Sequence, residues 1–234
     1  MKKTNNHQEL LALSAGVAAA VLMAEPAAAQ QGKLLVFLHV AMKQRALQTE
    51  LESALGGIQV TAVGRIGDFE RGLQDGVDAV LSLPVLLAAF KLSPKLKGVR
   101  GGSTEEAYSL VGVDAEPVPG KITSVGALDL LGRDGTSAFV KGLLNASPRI
   151  ERVSKVEDLL PLLQMQRADA VLLPSRLFAE IKSASKLALF QKEIGKTVGL
   201  PCVASVKPSG DAIASAISKM PTSAAKKLGV DSWR

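Results

Sequence analysis

The tetrapeptide Asp-Ala-Val-Leu occurs twice, starting at Asp78 and at Asp169, and each copy runs through Leu-Pro (Leu83-Pro84 and Leu173-Pro174) into an apolar segment with helical spacing. Each copy follows a short polar stretch, at 73–76 and 163–166, so the likeness extends well beyond four residues and contains one insertion. A strand that turns into a helix is the repeating piece of α/β folds. Its recurrence predicts two similar lobes with a cleft between them, and such clefts are where small ligands bind. Chance recurrence in a chain rich in Ala, Val and Leu is the competing reading.

The N-terminus carries an address. Lys2 and Lys3 precede an apolar run over 10–24, Glu25-Pro26 breaks it, and Ala27-Ala28-Ala29 supplies the small residues expected before a secretory cleavage site. Residues 1–29 read as a signal peptide cut after Ala29, which places the mature protein in the periplasm. A retained membrane anchor is the other reading, but the run is shorter than the ~20 residues a spanning helix needs. The only cysteine is Cys202, so neither a disulfide framework nor a lipid-bearing cysteine near the cut is expected. Residues 1–29 hold Lys2, Lys3, Glu9 and Glu25, two charges of each sign, so the net charge of +6 belongs to the part that folds. That balance suits an anionic partner. Export argues against nucleic acid, and a dispersed, solvated set of lysines is the plainer account of the charge.

The remaining chain alternates between two periodicities. Residues 33–40 are a short, nearly continuous apolar run, as expected of a strand covered on both faces, and 58–63 and 77–81 read as a second and a third strand. Between them, 42–55 shows a helical stripe closed by Gly56-Gly57, and 68–73 reads as a short helix capped by Asp68. Pro84 opens another helix. A strand at 107–113 precedes Pro117, Pro119 and Gly120, which mark a crossover. Strands at 124–130, 150–153 and 168–173 then alternate with helices at 136–144 and 156–165, and Pro174 again opens a helix. Residues 198–206 return the chain, and 211–219 and 223–228 are terminal helices. The expected fold is α/β with two lobes, each a mostly parallel sheet flanked by helices. The first lobe takes 30–116 and 199–234, and the second takes 117–198. Two crossings between lobes make closure a hinge motion.

In this order of parts the chain resembles the periplasmic solute-binding proteins of ABC transporters. Its segment Asp78-Ala-Val-Leu-Ser-Leu-Pro84 is similar to that family's strand-to-loop segment, and Gly132-Arg-Asp-Gly-Thr-Ser-Ala138 sits where relatives place a Ser/Thr-rich turn. The phosphate and phosphonate binders are the branch it looks most like. The chain departs at the turn, where Asp134 replaces a more hydroxyl-rich run, and it is shorter than is usual in the family. The resemblance implies a non-enzymatic monomer that captures a small anionic solute between its lobes and delivers it to a membrane permease.

The residues can also be read for themselves. A helix starting near Thr136 would offer unpaired N–H groups, with the Thr136 and Ser137 hydroxyls beside them, to an anion. Simple capping by Asp134 or Thr136 explains the same residues. His39 lies at the carboxyl end of the first strand, where open α/β sheets bind ligands, and it can equally be a packed histidine. Ser82 and Ser175 follow the strand of each repeat copy. Arg176 offers a fork for a carboxylate or phosphate, ahead of the more mobile Lys43. Tyr108 is the only tyrosine and falls near the crossover.

No nucleophile elbow, metal-ligand motif or phosphate loop is present, so neither a cofactor nor catalysis is expected. Aromatics make up only 3% of the chain, which disfavours stacking platforms for sugars. An apolar ligand such as a lipid or sterol, lined by Leu86, Leu87, Phe90, Leu177 and Phe178, is the alternative, together with a protein-interaction module on the same fold.

Overall fold

A computed structural model describes residues 32–40 and 42–234, and the signal segment read at 1–29 lies outside them. The chain begins as β1 (Lys33–Phe37), α1 (Gln44–Leu55), β2 (Gln59–Ala62), α2 (Ile66–Gln74), β3 (Ala79–Ser82), α3 (Pro84–Ala89) and β4 (Pro94–Val99). It continues as β5 (Glu105–Val113), β6 (Ser124–Leu128), α4 (Gly132–Leu144), β7 (Arg149–Val153), α5 (Leu159–Gln164), β8 (Ala170–Pro174), α6 (Phe178–Ala184) and β9 (Leu189–Gly199). It ends as β10 (Cys202–Ser205), α7 (Gly210–Ser218), α8 (Thr222–Lys227) and β11 (Ser232–Trp233).

These strands form two sheets with one plan. The first runs β2-β1-β3-β10-β4-β11 and the second β7-β6-β8-β5-β9. In each, a parallel trio is followed by one antiparallel strand, β10 or β5, brought in by a crossing. Alternate residues of β1 explain its apolar run. Leu34 and Val36 pack beneath α1, α7 and α8, while Leu35 and Phe37 pack on the opposite face against Phe69 of α2 and Leu86 and Leu87 of α3. The second sheet divides the same way, with Val171 and Leu173 facing α5 and α6 and Ala170 and Leu172 facing α4.

The crossings differ from the sequence reading at one point. β5 lies in the second sheet between β8 and β9, so the sheets part at residues 100–104 rather than after 116. A strand buried on both faces has the same apolar character whichever sheet receives it. Neither β4 nor β9 carries a strand pattern in the sequence. Both are rich in lysine and largely exposed, as strands near a sheet margin tend to be, and β4 starts on a proline. With β5 and β10 they make one antiparallel ribbon between the lobes. Glu105 pairs with Gly199 and Lys97 with Cys202, and between these the Leu200 N–H donates to the Thr104 carbonyl at 2.8 Å. The Cys202 thiol is buried in this ribbon, and burial pushes its pKa up to about 11, so it is an inert packing group.

The repeated aspartate has the same task in both lobes. Asp78 accepts from the Lys33 N–H at 2.7 Å, and Asp169 accepts from the Ser124 N–H at 2.9 Å. Lys33 and Ser124 each directly precede the residue that pairs with the first residue of the repeat strand, Leu34 with Ala79 and Val125 with Ala170. Each carboxylate thus pins the amino end of the central strand, on the side of the sheet away from the cleft. The hydroxyls of Ser209 and Thr123 donate to Asp78 and Asp169 respectively, and these bonds, before the backbone ones, hold both carboxyls below their usual range.

A lowered folded-state pKa stabilises above the unfolded value and is lost as pH falls through it. We therefore expect the doubly substituted protein, Asp78→Asn with Asp169→Asn, to be less stable at neutral pH. Its urea midpoint should also fall less steeply than that of the natural protein between about pH 5 and pH 3. Parallel midpoint curves would show that the carboxylates do not perform this task.

Candidate functional site

At the carboxyl ends of the parallel strands the lobes face each other across a cleft with two roomy ends. One end, of about 350 Å³, is lined by His39, Val40, Met42, Lys43 and Gln44 of the first lobe and by Ser154, Lys155, Val156 and Glu157 of the second. The other, of about 480 Å³, shares Val40 and Met42. It adds Arg100, Lys226, Lys227, Gly229 and Asp231 from the first-lobe side, with Arg176 and Glu180 from the second. Val40 and Met42, between β1 and α1, therefore sit in the cleft between its two ends.

The centre of the cleft is packed. Leu130, which follows β6 in the second lobe, is buried within the first lobe's core, and Leu131 and Phe139 pack against that same core. Phe139 also meets Tyr108 edge-on at 6.1 Å, and the void left beside them is only about 10 Å³. Nothing larger than a water fits there.

The basic end is organised around Arg176. Its Nε donates to Glu106 Oε2 at 2.8 Å, and the two side chains are only 12% and 8% exposed. Burial pushes the Glu106 carboxyl up despite the adjacent guanidinium. Gly229 lies under the guanidinium, where a Cβ would stand 2.8 Å from Nε, and its φ of +83° also suits glycine. Arg176 thereby touches the first lobe while anchored in the second. Lys227 is paired with Glu50 at 2.7 Å, and among the described residues Arg100 and Lys226 have no ion-pair partner.

The opposite end has a different chemistry. His39 is 8% exposed, and neither of its ring nitrogens has a hydrogen-bond partner. Gln44 Oε1, in the same lining, is also buried and unpaired. Burial pushes the His39 pKa down to about 4, against the opposing pull of Asp129, so the imidazole is neutral at pH 7.

The structure brings some of the residues singled out in the sequence to this cleft and not others. His39 and Arg176 line its two ends. Ser175 lies beside Arg176 in a side cavity with Arg100 and Glu106, and its hydroxyl is 2.6 Å from that of Ser109. Ser82 is buried and donates to the Phe37 carbonyl at 2.7 Å, tying β3 to β1. Tyr108 is buried against Phe139, and burial raises its phenol well above the usual range.

Thr136 requires a correction. Helix α4 starts at Gly132, so Thr136 lies a full turn inside it rather than at its start. Its hydroxyl donates to Asp129 Oδ1 and accepts from the Leu131 N–H, both at 2.9 Å, and Asp129 in turn receives Arg152 at 2.6 Å. A protein carboxylate already occupies this turn, and Ser137 is half-buried one residue further along the helix. Thr136→Val is expected to cost about 2 kcal/mol in chemical denaturation, because a buried N–H and a carboxylate each lose a partner. A change below about 0.5 kcal/mol would contradict this account.

Gln44, Arg100 and Lys226 went unrecognised in the sequence. Gln44 opens α1 with no motif around it, and the other two stand in basic clusters that read as solvated surface. The apolar residues proposed to hold an apolar ligand do not share one site. Leu86, Leu87 and Phe90 belong to the first lobe's core and Leu177 and Phe178 to the second's, and of these only Leu177 also lines the basic end of the cleft.

No family model matches the sequence, and no curated protein matches it. Solved structures do. An arginine-bound form of ArgBP from T. maritima aligns with 15% identity over 85% of this chain and 95% of its own, at a TM-score of 0.54. The substrate-binding protein of an amino acid ABC transporter aligns with 14% identity over 84% and 97%, at 0.56. The fold is that of the two-lobed periplasmic binding proteins. A Xanthomonas citri protein bound to ATP shares it at 11% identity over 86% and 90%, with a TM-score of 0.57. Arginine and ATP are ligands of different chemistry held on one fold, so the ligand of this chain must be argued from its own cleft.

Proposed function

We propose that this chain is an extracytoplasmic solute-binding protein that closes its lobes on a small anionic ligand and hands it to a membrane permease. The observation that carries this reading is the cleft end where Arg176 of the second lobe meets Arg100, Lys226 and Gly229 of the first. A ligand held there touches both lobes and favours the closed arrangement, because only that arrangement brings the two linings together. The paired crossing ribbon supports a hinge between them, since it is the connection about which the sheets can turn. The signal segment at 1–29 supports the extracytoplasmic setting. The anion is met at the basic end and not at Thr136, so phosphate and phosphonates compete on equal terms with carboxylates. The protein acts as a monomer and performs no chemistry on its cargo.

A second reading is favoured by the packed centre. Leu130, Leu131 and Phe139 hold the lobes together without a ligand, as a permanently closed module that engages a protein partner would require. A thermal-shift panel of phosphate, phosphonates, mono- and dicarboxylates and amino acids separates the two. Solute capture predicts a concentration-dependent rise in melting temperature with one class of anion. A flat response across the panel would favour the protein partner.

A further inference from the structure

We propose that the ligand is elongated, with an anionic group at one end and an uncharged hydrogen-bonding group of the carboxamide type at the other. This rests on the cleft being the ligand site and adds the chemical class of its occupant. The two roomy ends share Val40 and Met42 in their linings, so these two residues stand between them. A ligand that reaches both ends crosses the apolar side chains of those two residues.

The two ends ask for different groups. At the basic end four cationic side chains, Arg100, Arg176, Lys226 and Lys227, stand against the carboxylates of Glu180 and Asp231. Glu106 and Glu50 already occupy Arg176 and Lys227, which leaves Arg100 and Lys226 to meet an incoming anion. At the other end, the unmet groups are the two nitrogens of His39 and Gln44 Oε1. A neutral imidazole offers one donor and one acceptor, so the unmet set is two acceptors and one donor. Within this buried, unmet set a carboxylate, which brings acceptors only, could answer just the imidazole N–H, with its charge set against the Gln44 oxygen. A carboxamide brings both kinds of group without a charge to desolvate. Burial keeps His39 neutral over the physiological range, which preserves this pattern. Lys43, Lys155 and Glu157 complete the lining there and are exposed.

The test uses three matched probes at each of several chain lengths: a linear dicarboxylate, its half-amide and its diamide. Calorimetric titration of the natural protein should find one length at which the half-amide binds about tenfold more tightly than either symmetric partner. His39→Leu should abolish that preference, weakening the half-amide about tenfold while leaving the dicarboxylate within about twofold. The same variant should melt at a higher temperature than the natural protein without ligand, since it removes two unpaired buried polar atoms, so loss of the fold cannot account for the loss of binding. Arg100→Ala with Lys226→Ala should weaken dicarboxylate and half-amide alike. A dicarboxylate that binds as tightly as the half-amide at every length, or a preference that survives in His39→Leu, overturns the two-ended ligand and leaves anion capture standing. Binding by none of the probes also overturns it, whereas failure of capture itself would show as silence across the wider anion panel.

Discussion

Arg176→Met should destabilise the protein by about 3–5 kcal/mol in urea denaturation, because it strands the Glu106 carboxylate in a site where only 8% of its side chain meets solvent. Most of the pair's value lies in mutual neutralisation, so adding Glu106→Leu to Arg176→Met should recover most of the loss. pH supplies an independent check. Burial already raises the Glu106 pKa, and removing the guanidinium raises it further. A group with a raised folded-state pKa contributes stability that is present at low pH and lost as pH rises through that pKa. The penalty of the single variant should therefore be largest above neutrality and shrink on acidification toward about pH 4.5, near the unfolded value for a glutamate. A penalty that is independent of pH would mean that Glu106 is solvated once Arg176 is gone.

Leu130→Ala is the second large effect. Leu130 is 6% exposed and belongs to the core of the lobe opposite its own, so truncating it leaves a cavity at the junction between lobes. Truncations of this kind cost about 2–5 kcal/mol. Here the protein has a way to relax that an ordinary core lacks, since the lobes can part about the crossing ribbon and hydrate the cavity. The expected result is a lower melting temperature together with a larger radius of gyration in small-angle scattering. A lower melting temperature with no expansion would show that the lobes form one rigid body.

The two-lobed plan was legible because it depends on pattern. The Asp-Ala-Val-Leu repeat marks equivalent strands, and its aspartates make equivalent bonds to Lys33 and Ser124. Strands buried on both faces, such as β1, β3 and β8, announce themselves as unbroken apolar runs. Marginal strands do not. β9 spends most of its eleven residues in solvent, and its Lys, Glu, Gln and Thr carry no apolar period. The placement of β5 was hidden for a related reason, since a strand covered on both faces does not say which sheet covers it.

The site was less legible than the fold because it depends on pairings between distant segments. Arg176 was recognised from its residue type, yet its partners Glu106 and Gly229 come from a crossing strand and from the chain's end. The Thr136 hydroxyl looked available and is bound by Asp129, seven residues earlier, through a turn that the local sequence does not reveal. His39 stood out as the only histidine after residue 29, but the signal that matters is the absence of any partner for its ring. Gln44 becomes meaningful only beside it. Leu130 reads as the end of a strand, whereas it packs into the core of the opposite lobe, with Leu131 against that core.

The central claim is that the lobes close on a small ligand held between them. Small-angle scattering of the protein, without ligand and saturated with whichever anion raises its melting temperature most, tests this directly. Capture predicts a smaller radius of gyration and a shorter maximum dimension with ligand, and Arg100→Ala with Lys226→Ala should shift the transition to higher ligand concentration. Scattering curves that superimpose with and without a stabilising ligand would contradict closure and place the binding event outside the cleft.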